Sequence, residues 1–123
     1  MSGDLFGTDD LRSYPGWPEA MDLATGAYRL TDGWPLVDPL DLVLEIRRCA
    51  VGIPSAIARG YGNGEIEAVA SNMAEARDLT RQLDAQIALA IRAGYCSENV
   101  GSVFQDQVGI VRARIEHAMN SAF

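Results

Sequence analysis

The chain has 123 residues, of which 48% are hydrophobic, 22% charged and 7% aromatic, a composition typical of one globular domain. Seventeen Asp and Glu against ten Arg and no Lys give a formal charge of −7. This balance disfavours a general binder of nucleic acid or anionic membranes, because phosphate affinity depends on clustered positive charge. No apolar run approaches the roughly 20 residues that cross a bilayer, and the chain start does not resemble a secretory signal, so we expect a cytoplasmic protein without membrane contact.

The first predicted element is a helix from Trp17 to about Thr31, preceded by an extended N-terminal arm over residues 1–16. Pro18 suits the first turn of this helix, where its missing N–H would have no partner in any case. Two apolar stripes at helical spacing predict two buried contacts. One stripe contains Trp17, Met21, Ala24 and Tyr28, and the other contains Leu23, Ala27, Leu30 and Trp34.

The second helix is predicted from Pro39 to Gly60, with Asp38 as its N-cap. Pro54 lies in the middle of the apolar pattern, which predicts that the helix either bends or divides there. The main apolar face contains Leu42, Ile46, Cys49, Ile53 and Ile57, and near the start it is widened by Leu40, Val43 and Leu44. Packing against three neighbouring helices needs less apolar width, so we expect the three widening residues to lie in a subunit interface.

The third helix is predicted from about Glu65 to Ala93, after a helix-to-helix turn at residues 60–64. Apolar residues recur three and four apart along its length, which is a heptad seam typical of a helix packed almost parallel to its neighbours. The seam consists of Ile66, Val69, Met73, Ala76, Thr80, Leu83, Ile87 and Ala90. Gly94 follows as the expected left-handed C-terminal cap.

The fourth helix is predicted to begin near Ser97 or Glu98 and to end before Phe123. Its apolar face contains Val100, Phe104, Val108, Val111, Ile115 and Ala118. Four helices joined by short breaks, without strand-like alternation, predict an all-α, up-and-down antiparallel four-helix bundle with one Pro-kinked helix. We expect this bundle to form a single domain over residues 1–123.

The stretch of residues 46–60 reads IRRCAVGIPSAIARG and resembles the sequence LRRAAVSIPSNIAEG of the four-helix bundle protein family, also known as the intervening-sequence proteins of 23S rRNA genes. The matching residues are Arg47, Arg48, Ile53, Pro54 and Gly60, and Gly94 with Tyr95 matches the end of the family's long helix. The resemblance covers most of the chain. Ala56 and Arg59 stand where the family has Asn and Glu, so the polar contacts of those family residues are absent or replaced here.

The resemblance implies assembly into a homopentamer, five bundles around a central axis. A related branch, the accessory proteins of diversity-generating retroelements, binds nucleic acid and a reverse transcriptase through a strongly basic surface. The charge of −7 removes the feature that would extend this role to the present chain. Arg47, Arg48 and Arg59 are therefore weak candidates for phosphate contact, since acidic neighbours at helical spacing also offer them partners.

The residues indicate no catalytic, cofactor or metal site. A nucleophile such as Cys49 or Ser55 needs a base within hydrogen-bond reach, and the single histidine, His117, lies near the C-terminus. Two Cys and one His are too few for a zinc or di-iron site. We therefore predict a non-enzymatic scaffold or adaptor that binds copies of itself and an unidentified protein. The alternative is a nucleic-acid-binding accessory factor that resembles the retroelement branch.

Overall fold

The computed structural model describes residues 10–122, which form four helices around one hydrophobic core. The helices are α1 (Trp17–Thr31), α2 (Leu42–Asn63), α3 (Ile66–Arg92) and α4 (Glu98–Ala122), after a short 3-10 turn at Leu11–Ser13. The prediction of an all-helical four-helix protein is confirmed. No helix within residues 10–122 combines the length and the apolar character that crossing a bilayer requires.

Contacts between the helices give an antiparallel arrangement. Cys49 on α2 donates a hydrogen bond to the carbonyl oxygen of Leu79 on α3, at 3.2 Å. Further along α2, Arg59 bonds Glu75, which lies earlier on α3, so the two helices run in opposite directions. α1 packs on α2, and α4 packs on both α3 and α1. The four helices therefore surround the core in chain order, as in an up-and-down bundle.

The heptad seam predicted for α3 lies in the centre of the bundle. Its buried members are Val69, Met73, Ala76, Thr80, Leu83, Ile87 and Ala90. The seam prediction is wrong for Ile66, which is exposed, and the α4 face is likewise wrong at Val100. Both residues lie in the first turn of their helices, where the neighbouring helices no longer cover them.

The two predicted stripes of α1 differ in how far their residues are buried. Leu23 and Ala27 are buried, whereas Met21 and Tyr28 are exposed. In the first stripe Ala24 is also buried and Trp17 packs against the core. Since α1 packs on both α2 and α4, the prediction of two contacts agrees with the fold, although Met21 and Tyr28 stay exposed. Trp17, Met21 and Ala24 line a groove between α1 and α2.

The second helix begins later than predicted. Asp38 is not its N-cap and Pro39 is not in its first turn, because the helix starts at Leu42 after Asp41, whose φ is +51°. The Asp38 carboxylate instead accepts a hydrogen bond from the N–H of Val43, at 2.8 Å. It therefore satisfies one of the free donors of the first helical turn from within the preceding loop.

The end of α2 also differs from the predicted turn at residues 60–64. The helix continues to Asn63 and ends at Gly64, whose φ is +82°. Gly60 is buried inside the helix, and a Cβ atom there would lie 3.0 Å from the Cβ of Asn72 on α3. This glycine therefore permits a close approach of α2 and α3. Because α2 runs without interruption through Pro54, a division there is excluded, and the kink stays a prediction.

The connection between α3 and α4 follows the predicted chemistry. Gly94 has a φ of +81°, and the N–H of Tyr95 bonds the carbonyl of Ala90 at 2.9 Å, which is the Schellman pattern of a helix C-terminus. Ser97 then accepts a bond from the N–H of Val100 at 3.2 Å and caps the start of α4. Both ends of this short connection are therefore set by local residues.

The structure describes the last part of the predicted N-terminal arm. The segment before α1 contains the short 3-10 turn, and Tyr14 is buried with its ring stacked on Tyr61 at 5.6 Å between centroids. Tyr14 therefore fixes the end of this segment on the bundle, while residues 10–13 are exposed. The remainder of the predicted arm, residues 1–9, lies outside the described residues.

Candidate interaction surface

An exposed apolar surface lies where the chain enters α2. Leu36 is fully exposed, and Val37, Leu40 and Leu44 are exposed by 81%, 49% and 53%. We call these four residues the α2-start surface, and the pair Leu36 and Val37 its loop tip. Val43, predicted with Leu40 and Leu44 to lie in an interface, is partly buried within the chain. Contiguous exposed apolar side chains commonly mark surfaces that contact another protein.

Tyr95 holds the loop on both sides of this tip. The rings of Trp34 and Tyr95 meet edge to face, with their centroids 5.4 Å apart. The Tyr95 hydroxyl donates to a carboxylate oxygen of Asp38 at 2.5 Å, while the other oxygen accepts from Val43. The apolar tip is thus presented between two fixed residues, which lowers the entropy that ordering the loop would cost on binding.

The hydrogen bond between Tyr95 and Asp38 shifts the pKa of both groups. It lowers the pKa of the Asp38 carboxyl below 3.8, with the N–H of Val43 acting in the same direction against desolvation. The same bond raises the pKa of the Tyr95 phenol above 10.0. The stability that the pair contributes is therefore present above the unfolded pKa of Asp38 and is lost as the pH falls through the lower folded value.

A Tyr95→Phe variant is expected to be less stable than the wild type at neutral pH and to approach it at low pH. At low pH the Asp38 carboxylate is protonated, which weakens its charge-assisted bond to Tyr95 in the wild type. The variant lacks this bond at every pH, so the difference in stability between the two proteins becomes smaller. Urea denaturation between pH 3 and 8 measures the difference. Tyr28→Phe is the matched control, since Tyr28 is exposed. A Tyr95→Phe deficit that is unchanged at pH 3 would contradict this linkage.

Arg47 and Arg48 are adjacent in sequence but have different surroundings. Arg47 donates from Nε to the hydroxyl of Thr31 at 2.8 Å, and its guanidinium lies 4.7 Å from the ring centroid of Tyr28. Arg48 is exposed and lies 3.7 Å from Glu45. Arg47 is therefore engaged in contacts between α1 and α2, and Arg48 has a weak ion pair on its own helix.

The third candidate, Arg59, bridges α2 and α3. Its guanidinium donates to both carboxylate oxygens of Glu75 at 3.0 Å and to the side-chain oxygen of Asn72 at 3.2 Å. Both bonds to Glu75 come from one nitrogen, Nη2, and both side chains are about half exposed, so this is a surface ion pair of modest strength. Ala56, the other departure from the motif, is fully buried.

Most of the remaining arginines are also next to carboxylates. The pairs are Arg12 with Asp10, Arg77 with Asp78, Arg81 with Asp78 and Glu116, Arg112 with Asp84, and Arg114 with Glu19. Arg112 also donates to the buried hydroxyl of Thr80. These mixed-sign surfaces differ from the basic stripe that a phosphate backbone requires.

The four-helix arrangement agrees with the family to which the whole sequence is similar. A family model described as 23S rRNA-intervening sequence protein matches residues 12–117. The chain belongs to this family. No curated protein matches the chain. The family match extends from the 3-10 turn to the last part of α4, so it includes the α2-start surface and all four helices.

In this member of the family, the motif residues occupy structural positions. Ile53 and Pro54 are buried in α2, and Gly60 permits the close approach to α3. Gly94 caps α3, and Tyr95 anchors the loop before α2. Tyr95 therefore joins the α3–α4 connection to the loop before α2 through Trp34 and Asp38.

The thiols and the histidine do not converge. Cys49 is buried and donates to the carbonyl of Leu79, and its burial raises its pKa to about 11. His117 is exposed near the end of α4. No group of three His, Cys, Asp or Glu among residues 10–122 has the arrangement that could hold a metal ion. Ser55 bonds the carbonyl of Val51 on its own helix.

The two cysteines are expected to react with alkylating reagents at very different rates. At pH 8, Cys96 should be labelled first because it is partly exposed, while Cys49 should react only when α2 and α3 separate. Mass spectrometry after timed exposure to iodoacetamide measures this. The Cys96→Ser variant should lose the fast phase and Cys49→Ser should keep it, and the reverse pattern would contradict the packing.

The sequence pattern did not single out the loop tip. Leu36 and Val37 lie in the segment WPLVDP, where two prolines and an aspartate indicate a loop and no helical periodicity marks an apolar face. The signal that was available is the apolar run that begins at Leu36 and continues into α2. Read together with Leu40 and Leu44, it would have predicted a larger surface.

Proposed function

We propose that this chain assembles with itself into a homopentamer and acts in the cytoplasm as a non-enzymatic scaffold or adaptor for another protein. The observation that carries this proposal is the α2-start surface, which exposes four large apolar side chains on an anchored loop and helix start. Water contact at such a surface is unfavourable by about 25 cal/mol per Å² of apolar area. Burial between subunits removes that cost.

Family membership supports the fold on which this proposal rests, and the resemblance of the motif supports the number of subunits. The distribution of charge supports a protein partner over nucleic acid. Arg59 and Arg112 are each held by carboxylates of neighbouring helices, so they are not free to neutralise phosphates without losing those bonds. An assembly of five copies would also carry five times the formal charge of −7.

Native mass spectrometry of the purified chain at low micromolar concentration tests the proposal by counting subunits. We expect a single species of five copies, about 66 kDa from the chain mass of 13.3 kDa. A species with another number of copies would contradict the pentamer, but the proposal that the chain is a self-assembling scaffold would still stand. A monomer at every concentration would overturn both.

A gel-shift titration tests whether the protein binds nucleic acid. Structured RNA and duplex DNA are titrated with the protein at about 50 mM salt, where phosphate contacts are strongest. We expect no shift. Binding that weakens steeply as salt is raised to about 200 mM would overturn this part of the proposal and favour an accessory factor of the retroelement type.

A further inference from the structure

An apolar groove runs along the outer side of α1 and α2. Its walls are formed by Trp17, Met21 and Val51, and its floor by small or compact residues, namely Ala24, Pro54, Ser55 and Ala58. The groove has a volume of about 260 Å³. Its polar side-chain groups are the Ser55 hydroxyl, which donates to the carbonyl of Val51 at 2.8 Å, and the indole N–H of Trp17. The rest of the lining is apolar and has no charged side chain, which favours an apolar occupant.

The groove is open because the residues at its floor are small. Ala24 on α1 faces Ala58 and Ser55 on α2, so the two helices leave space that their own side chains do not fill. Met21 and Val51 remain exposed by 39% and 40% at its walls. Exposed walls above an apolar floor are typical of a surface that receives an apolar side chain.

The loop tip has the complementary properties. Leu36 and Val37 project fully or nearly fully into solvent from a loop that is fixed on both sides. A protein cavity of about 150 Å³ is large enough to bind benzene, so a groove of 260 Å³ has room for a branched aliphatic side chain. Asp38, which directly follows the tip, already has Tyr95 as its partner, while Asp32 and Asp41 are exposed to solvent on either side of the tip.

The tip and the groove of one chain lie too far apart to meet. The tip precedes α2, whereas the groove is lined from Val51 to Ala58, about 16 Å further along the helix between Leu44 and Ser55 at 1.5 Å per residue. A knob and a groove at different places on one molecule associate head to tail with copies of that molecule, and such contacts form a ring when the rotation closes.

We propose that the loop tip of one copy inserts into the α1–α2 groove of the next copy, as a heterologous contact of the assembly. This inference rests on the self-assembly proposed above and adds which two surfaces meet. A second copy is favoured as the occupant because the chain itself carries both an apolar knob and an apolar groove that fits it. Each copy then gives one tip and receives another.

Two variants test the loop tip and the groove one at a time. Leu36→Glu/Val37→Glu places charges on the tip and leaves the groove intact, while Ser55→Arg fills the groove and leaves the tip intact. Val103→Glu is the control, because Val103 is also exposed but lies on α4, which contributes no residue to the loop tip or to the groove lining. Circular dichroism checks that each variant keeps its helices, and light scattering during size exclusion gives the mass.

We expect each of the two variants to fall to the monomer mass of 13.3 kDa and the control to keep the wild-type mass. An equimolar mixture of the two variants should form a species of two copies, because one intact tip and one intact groove remain and no further contact is possible. Wild-type mass for either variant would overturn the inference, as would a mixture that stays monomeric.

The same runs distinguish this inference from the proposed function. If the wild type is an assembly and the tip and groove variants keep its mass, the inference fails and the scaffold stands. If the wild type is itself a monomer, the proposed function fails as well. Ile66→Glu at the exposed start of α3 gives a second control should Val103→Glu disturb α4.

Discussion

The double variant Leu40→Glu/Leu44→Glu is expected to keep its four helices and to lose self-association. Both side chains are about half exposed in the single chain, so the substitution disturbs little of the core. In an interface that excludes water, each unpaired carboxylate costs several kcal/mol. A loss of about 3 kcal/mol per contact weakens Kd by on the order of a hundredfold. Light scattering at about 10 μM protomer should give 13.3 kDa.

Ile66→Glu is the matched control for this prediction. Ile66 is exposed by 61% and lies at the start of α3, so it receives the same charge on an apolar position outside the α2-start surface. Its mass should equal that of the wild type. If the Leu40→Glu/Leu44→Glu variant also keeps the wild-type mass, the α2-start surface is not the interface.

Replacing Gly60 by Ala is expected to lower the free energy of unfolding by about 1–3 kcal/mol, although alanine is the better helix former. The added Cβ would lie 3.0 Å from the Cβ of Asn72 and 3.3 Å from the carbonyl oxygen of Ala68 and the Cα of Val69. Backbone atoms cannot move aside as a flexible side chain can. The helices α2 and α3, which share the most extensive contact of the bundle, must therefore separate.

Gly109→Ala is the control for this prediction, and it is expected to change the free energy of unfolding in the opposite direction. Gly109 lies inside α4, and a Cβ there meets nothing within 4 Å. The change should raise the free energy of unfolding by about 0.5–1 kcal/mol through helix propensity. Urea denaturation at one fixed protomer concentration measures both variants, since self-association adds to stability. Equal effects of the two substitutions would contradict the close approach at Gly60.

The helix pattern was predictable because apolar periodicity and end signals agree along most of the chain. α1 has the predicted ends, and α3 and α4 match within about one residue, since Pro18, Gly94 and Ser97 are local signals. The seam of α3 is buried because it faces the other three helices. Its failure at Ile66 has a physical reason: periodicity defines a face but does not say where the neighbouring helices stop covering it.

The start of α2 was not predictable from local signals. Asp38 followed by Pro39 has the appearance of a helix start, yet the carboxylate bonds Val43 further along and Tyr95 from a distant turn. A partner so far away in sequence is invisible to capping rules. Asp41 takes the left-handed conformation just before the helix, which non-glycine residues rarely adopt.

The role of Gly60 and the ion-pair partner of Arg59 could not be predicted without knowledge of the fold. Gly60 lies in a cluster of glycines that indicates a turn, but its role is a close approach to Asn72 that only the packing of α2 on α3 reveals. Arg59 is a weak phosphate candidate by its sequence, and its ion-pair partner Glu75 lies on another helix. The nearest residues in sequence therefore did not identify the pair.

The claim that this family member assembles with itself and not with nucleic acid is tested most directly by light scattering behind size exclusion, with absorbance recorded at 260 and 280 nm across the same peak. We expect one protein-only peak near 66 kDa, five times the chain mass of 13.3 kDa. A peak at 13.3 kDa, or one whose absorbance shows bound nucleic acid, would contradict it.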